Sequence, residues 1–146
     1  MVVDVLFPGW APFRSLAASE DIPAWIKAHD IALDYPWQTL VGGHLGVRDD
    51  ATLQKQYVAD LLASTRAAAA AVDPTPFYEK YGPADNSWAI FTAYLDAVAE
   101  TAAAPIVTKY TGVLGAADVF TFDNAMTLIE TLRIHFGELG PFGIRP

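Results

Sequence analysis

Cysteine is absent from this 146-residue chain, and basic residues are few. The lack of cysteine excludes disulfides, thiolate metal ligands and a cysteine nucleophile. Nine Lys+Arg stand against seventeen Asp+Glu, a formal net charge of −8, and the basic residues form no cluster. We therefore predict no nucleic-acid partner. A glycine-rich phosphate loop with its lysine and the G-x-S-x-G context of a serine hydrolase are also missing. These absences exclude cysteine, serine-elbow and phosphate-loop chemistry.

Long uninterrupted apolar runs are missing too. No stretch approaches the roughly 20 apolar residues of a bilayer-spanning helix, so we predict no membrane span. The first residues lack the basic segment of a signal peptide, and Asp4 interrupts their apolar run, so a cytoplasmic location is the default expectation. Hydrophobic residues nevertheless make up 53% of the chain and charged residues only 18%. Such a composition fits either a well-filled core or an apolar face that meets a partner.

The first half of the chain has the pattern of an α/β layer. Residues 2–7 and 38–41 read as two short strands, and residues 21–33 and 51–72 read as amphipathic helices. Asp49-Asp50 would cap the second of these helices. Two strands with crossover helices imply an α/β layer. Because a sheet usually has about 4–6 strands, this layer needs additional strands from elsewhere.

From residue 74 onward the pattern is helical. The expected elements are a short helix over 76–81, a helix that starts at Asn86-Ser87 and ends or kinks at Pro105, a loop over 107–120, and a helix from Thr121 to Gly137. We therefore divide the chain into an α/β unit over 1–73 and a mainly α-helical C-terminal extension over 74–146, which packs on it.

Two residues at the ends of the predicted strands are candidate metal ligands. Asp4 lies in the first apolar run and His44 closes the second, and a loop follows each of them. An acid and an imidazole at strand ends commonly form half of a metal site. A catalytic zinc usually needs about three protein ligands, and His29 and His135 lie in no ligand cluster. We expect His29 to be a partly buried packing residue.

Three segments, in this order, carry a family resemblance: Val3-Asp4-Val5-Leu6-Phe7, Thr39-Leu40-Val41-Gly42-Gly43-His44, and the long helix with Tyr57 and Leu61. They resemble the C-terminal half of metallo-β-lactamase-fold hydrolases, over about residues 1–70. The resemblance implies a partial metallo-β-lactamase-like layer in which Asp4 bridges two zinc ions and His44 is a terminal ligand. The family's H-x-H-x-D-H motif is absent and is expected upstream of Met1, which would make this chain a fragment.

Under this resemblance the chain is part of, or related to, a zinc-dependent hydrolase that is inactive alone because most metal ligands are missing. Trp10 and Phe13 would wall the substrate pocket, and Arg48 would meet an anionic substrate. Two alternatives stay open. One is a non-enzymatic module that pairs its strand edge with a second copy, as a homodimer. The other is a subunit whose partner chain supplies the missing histidines.

Overall fold

The computed structural model describes residues 1–44, 51–140 and 142–143 in full, and residues 47–48 by their backbone. In these ranges the elements are α1 (Arg14–Ala18), α2 (Ile22–Asp34), β1 (Leu40–Val41), β2 (Val47–Arg48), α3 (Thr52–Ala71), α4 (Thr75–Tyr81), a 3-10 turn (Gly82–Ala84), α5 (Ser87–Tyr110) and α6 (Ala117–Ile134). The two strands pair antiparallel, with Leu40 opposite Arg48 and Val41 opposite Val47.

The predicted α/β layer is wrong, and with it the partial metallo-β-lactamase-like layer. The described residues form a mainly helical structure whose sheet is the β1–β2 hairpin alone. The predicted strand over 2–7 is reduced to one parallel bridge between Val2 and Gly42. Asp4 has a φ of 59°, which turns the backbone out of the extended conformation. An apolar run becomes a strand only where neighbours pair with its backbone, and here the pairing stops after one bridge.

Two helices begin where the sequence predicts, because each has a short polar side chain at its N-cap. The Asp21 carboxylate accepts a hydrogen bond of 2.9 Å from the backbone N–H of Ala24. Asn86 caps α5 in the same way, through the N–H of Ala89 at 3.0 Å. The predicted cap at Asp49-Asp50 lies outside the described residues.

Helix α5 does not end at Pro105, as the sequence analysis allowed, but continues to Tyr110. A proline inside a helix costs about 3 kcal/mol, because it removes one backbone hydrogen bond and crowds the preceding turn. Beyond Pro105, the side chains of Ile106 and Tyr110 are buried. Burying one large apolar side chain stabilises by about 1.5–3 kcal/mol, so the pair offsets the proline.

Helix α6 begins four residues before the predicted cap. Thr121 lies inside the helix, where its buried hydroxyl donates to the carbonyl of Ala117 at 2.5 Å instead of capping. The predicted loop over 107–120 is therefore limited to residues 111–116. Gly137 follows the end of the helix with a φ of 62°, the left-handed conformation that glycine adopts most readily.

The main core lies between α3, α5 and α6. Alanines line the contact between α3 and α5, and they leave room for close approach: Ala68, Ala69, Ala99, Ala102 and Ala103 are all buried. The Ser64 hydroxyl of α3 donates to the Ala102 carbonyl of α5 at 2.7 Å, which requires the two backbones to be near each other. Side chains from both sides of residue 73 belong to this one core.

By length and composition, α5 could also cross a membrane, and about 39% of its most apolar window is buried inside this structure. The core helices of soluble proteins can be equally long and apolar. The finding therefore carries no argument about a membrane.

Candidate metal half-site

The structure places the two predicted ligands side by side, although 40 residues separate them. Oδ1 of Asp4 and Nε2 of His44 are 2.8 Å apart. The short parallel bridge explains this position: Val2 donates its N–H to Val41 and accepts from Gly43, both at 3.0 Å. The two segments therefore run side by side in the same direction, and each reaches its ligand within two residues of the bridge.

Local backbone features orient Asp4 and His44. The left-handed φ of Asp4 is tolerated better by aspartate than by most residues. The indole N–H of Trp25 donates to the Asp4 carbonyl at 2.7 Å and holds this bend against α2. A Cβ at Gly43 would lie 2.6 Å from the Val3 side chain, so the glycine before His44 permits the close approach of the two segments.

Aromatic rings cover one side of His44. Its imidazole lies nearly parallel to the Phe7 ring, with centroids 6.2 Å apart, and 5.4 Å from the Phe13 ring. Phe7 is buried, and Phe13 also contacts Phe120. Of the predicted pocket residues, the structure therefore brings Phe13 to the candidate ligands.

The other two predicted pocket residues are Trp10 and Arg48. The ring of Trp10 lies against Gly115, where a Cβ would come within 2.6 Å of the indole, and Trp10 and Gly115 form a parallel bridge. Trp10 thus joins the N-terminal segment to the turn between α5 and α6. The side chain of Arg48 lies outside the described residues.

A strained turn positions Phe13. Residues 15–18 have φ values between 50° and 61°, a left-handed turn without glycine that costs roughly 1–2 kcal/mol per residue. Asn124 of α6 holds it from both sides: Oδ1 accepts from the Leu16 N–H and Nδ2 donates to the Pro12 carbonyl, both at 2.9 Å. Because Asn124 is buried, these bonds fix the loop that carries Phe13 beside His44.

A buried amide that was not among the predicted site residues, the side chain of Gln54, anchors this segment on the side facing α3. Oε1 of Gln54 accepts from the Phe7 N–H at 2.5 Å, and Nε2 donates to the Val5 carbonyl at 2.7 Å. The same Nε2 lies 2.8 Å from Nε2 of His29, so His29 must accept there and donate from Nδ1 to the Trp25 carbonyl at 3.0 Å. His29 is therefore neutral, and its burial lowers its pKa below the usual 6.5.

One sequence signal could have found Gln54. It shares the buried face of α3 with Tyr57, Val58 and Leu61, at spacings of three, four and seven residues. A polar residue on an apolar stripe must be satisfied by hydrogen bonds. His29, expected to be a partly buried packing residue, is fully buried, and both of its ring nitrogens are hydrogen-bonded.

Asp4 and His44 supply a carboxylate oxygen and an imidazole nitrogen, both of which zinc accepts as ligands. Their side chains are 56% and 46% exposed, so an ion could reach them. Two ligands about 2.0–2.1 Å from a tetrahedral zinc lie about 3.3 Å apart, and a small rotation would bring this pair to that spacing. The described residues contain no group of three or more potential ligands. The described ligands therefore fit half of a zinc site and not a whole one.

Comparison with known proteins found no matching family model, curated protein or solved structure.

Proposed function

We propose that this chain supplies Asp4 and His44 as two ligands of a zinc centre, and that histidines of another polypeptide segment complete it. The proposed reaction class is zinc-dependent hydrolysis, and it rests on the sequence resemblance of the segments around Asp4 and His44 to metallo-β-lactamase-fold enzymes, since the fold itself differs. The observation that carries the proposal is the 2.8 Å contact between two accessible ligand-type side chains that lie 40 residues apart. The proposal rests on this ligand pair and not on an α/β layer.

The chain's own residues would bind the zinc ion and keep its ligands in position. Asp4 and His44 would hold the ion, and Phe7 and Phe13 would keep water from one side of the imidazole. Gln54 would keep the backbone after Asp4 in place. A fully ligated zinc lowers the pKa of its bound water and polarises a substrate carbonyl. Because two ligands do not make a catalytic zinc site, we expect the isolated chain to have no hydrolase activity.

Cobalt(II) titration followed by NMR tests the half-site, because the paramagnetic ion broadens nearby signals even when it binds weakly. We expect broadening centred on Asp4 and His44, and loss of this broadening in His44→Gln. The matched control is His135→Gln, which removes an exposed imidazole elsewhere and should leave the broadening unchanged. Broadening centred on other residues, or equal broadening in both variants, would refute the proposal.

Asp4→Asn separates a ligand from a purely structural pair. The amide can still hydrogen-bond to His44, and an exposed polar pair of this kind contributes only about 1 kcal/mol or less, so the fold should persist. Cobalt binding should nevertheless weaken, because an amide is a poor ligand for zinc-like ions. If Asp4→Asn unfolds the protein, or binds cobalt as the unmodified chain does, the pair is structural.

A further inference from the structure

Two adjoining cavities lie where α4, the start of α5 and the segment at Phe142 meet. The larger measures about 260 Å³, and its walls include Tyr78, Ser87, Ile90, Phe91, Tyr94 and Phe142. The smaller measures about 220 Å³ and shares Ser87, Phe91 and Phe142 with the first. The walls are mainly aromatic and apolar, so water gains little by filling them.

A large exposed side chain stands beside these cavities. Trp88 lines the smaller cavity and is 79% exposed. Its ring meets Phe91 edge to face at 6.3 Å, and Phe91 meets Phe142 in the same way at 6.2 Å. The exposed Trp88 indole and the two apolar cavities therefore lie on the same face of the molecule.

We propose that a second copy of this chain docks on this face, as an isologous dimer in which Trp88 of each copy enters the larger cavity of the other. A two-fold interface requires a self-complementary patch, with knob and hole on the same surface. The sizes agree: a cavity of about 150 Å³ admits benzene, so 260 Å³ has room for the larger indole.

The described cavity walls carry little charge. A net charge of −8 makes two copies repel each other in general. Among the described residues that line the two cavities, one side chain is charged: Arg133, which pairs with Glu130 at 2.7 Å and lies over the Phe91 ring at 5.0 Å. Two copies that meet here bring together apolar rings and internally neutralised charges.

The exposed area sets the strength of the dimer. Trp88, Phe142 and Tyr78 are 79%, 59% and 47% exposed. At roughly 200 Å² for each aromatic side chain, they present about 370 Å² per copy, or about 740 Å² for the two copies together. Flanking residues and the cavity walls add to this area, which by itself lies below the roughly 1,200 Å² at the lower end of specific interfaces. We therefore expect a weak dimer that depends on concentration.

Sedimentation velocity between about 5 and 500 μM tests the proposal. We expect the mass to rise from 15.8 kDa towards twice that value, in the presence of a chelator as well as without one. Trp88→Ala should weaken dimerisation about tenfold or more, as for a central aromatic anchor. Ser87→Phe keeps Trp88 but narrows the cavities, and it should weaken the dimer as well. Val119→Ala is the control, because it removes an exposed apolar side chain of α6 that lines neither cavity and should change nothing.

Tryptophan emission gives a second measurement. It should shift to shorter wavelength as concentration rises, and this shift should be lost in Trp88→Phe. A monomer over the whole concentration range would overturn the proposal, and so would a dimer that survives both Trp88→Ala and Ser87→Phe. A dimer that needs zinc would also overturn it, because it would then depend on Asp4 and His44. Dimerisation with chelator present stands even if the metal half-site fails its own test.

Discussion

Gln54→Leu is the sharpest test of how the candidate site is held in place. The Gln54 side chain is 1% exposed and bonds Phe7, Val5 and His29 at once. Leucine has a similar size but offers no donor or acceptor. The substitution therefore leaves the Phe7 N–H, the Val5 carbonyl and the His29 ring nitrogen without this partner.

The expected loss follows from those three groups. A buried polar group left without its partner costs about 1–3 kcal/mol. Three such groups give roughly 3–9 kcal/mol, and the loss is smaller if water enters or the segment shifts. Because small domains are stable by about 5–15 kcal/mol, the variant should be severely destabilised.

Urea unfolding followed by circular dichroism measures this loss. Gln56→Leu is the matched control, since Gln56 lies two residues further along the same helix and is exposed. It should change stability by no more than about 0.5 kcal/mol. Amide exchange of Phe7 gives an independent readout, because its N–H is protected only while Gln54 accepts from it. If Gln54→Leu costs no more stability than Gln56→Leu, the Gln54 hydrogen bonds do not hold the backbone of Val5 and Phe7 in place.

Three further predictions concern single positions. Burial lowers the pKa of His29 below 6.5, so its contribution to stability is present above that pH and is lost as the pH falls through its folded pKa. The free energy of unfolding in urea should fall as the pH is lowered below 6.5, by up to about 1.4 kcal/mol per pH unit, and a flat profile would contradict this. Ala18→Gly relieves a φ of 55° and should stabilise by up to about 1 kcal/mol, whereas Ala63→Gly in α3 should cost about 1 kcal/mol; equal melting-temperature losses would refute the strained turn. Pro105→Ala restores a helix hydrogen bond at an exposed position and should raise stability by about 1–3 kcal/mol in urea unfolding; an unchanged midpoint would count against a continuous α5.

Caps were predictable because their cause is local. Asp21 and Asn86 each bond an N–H only three residues further along, so the sequence alone contains both partners. The predictions at Pro105 and Thr121 are wrong because helix length there depends on residues that are distant in the sequence. Whether a helix continues past a proline depends on what buries Ile106 and Tyr110, and those partners lie on other helices.

The candidate site could likewise be predicted only in part. The sequence indicates Asp4, inside the first apolar run, and His44, at the end of the second, as candidate ligands, and the structure sets them 2.8 Å apart. The expected reason, a sheet with two full strands, is wrong, because one bridge at Val2 and a left-handed Asp4 bring the ligands together. Gln54 escaped prediction because its partners lie 25, 47 and 49 residues away.

By itself, the sequence determined which chemistry is possible and where several helices begin. Its lack of cysteine leaves carboxylate and imidazole groups, such as those of Asp4 and His44, as the candidate metal ligands. Tertiary structure decided whether the first apolar run became a strand, how far α5 and α6 extend, and which side chains meet. The physical reason is the sequence separation between interacting residues. A helix cap needs a partner within one turn, whereas burial and strand pairing need partners that only the folded chain brings near.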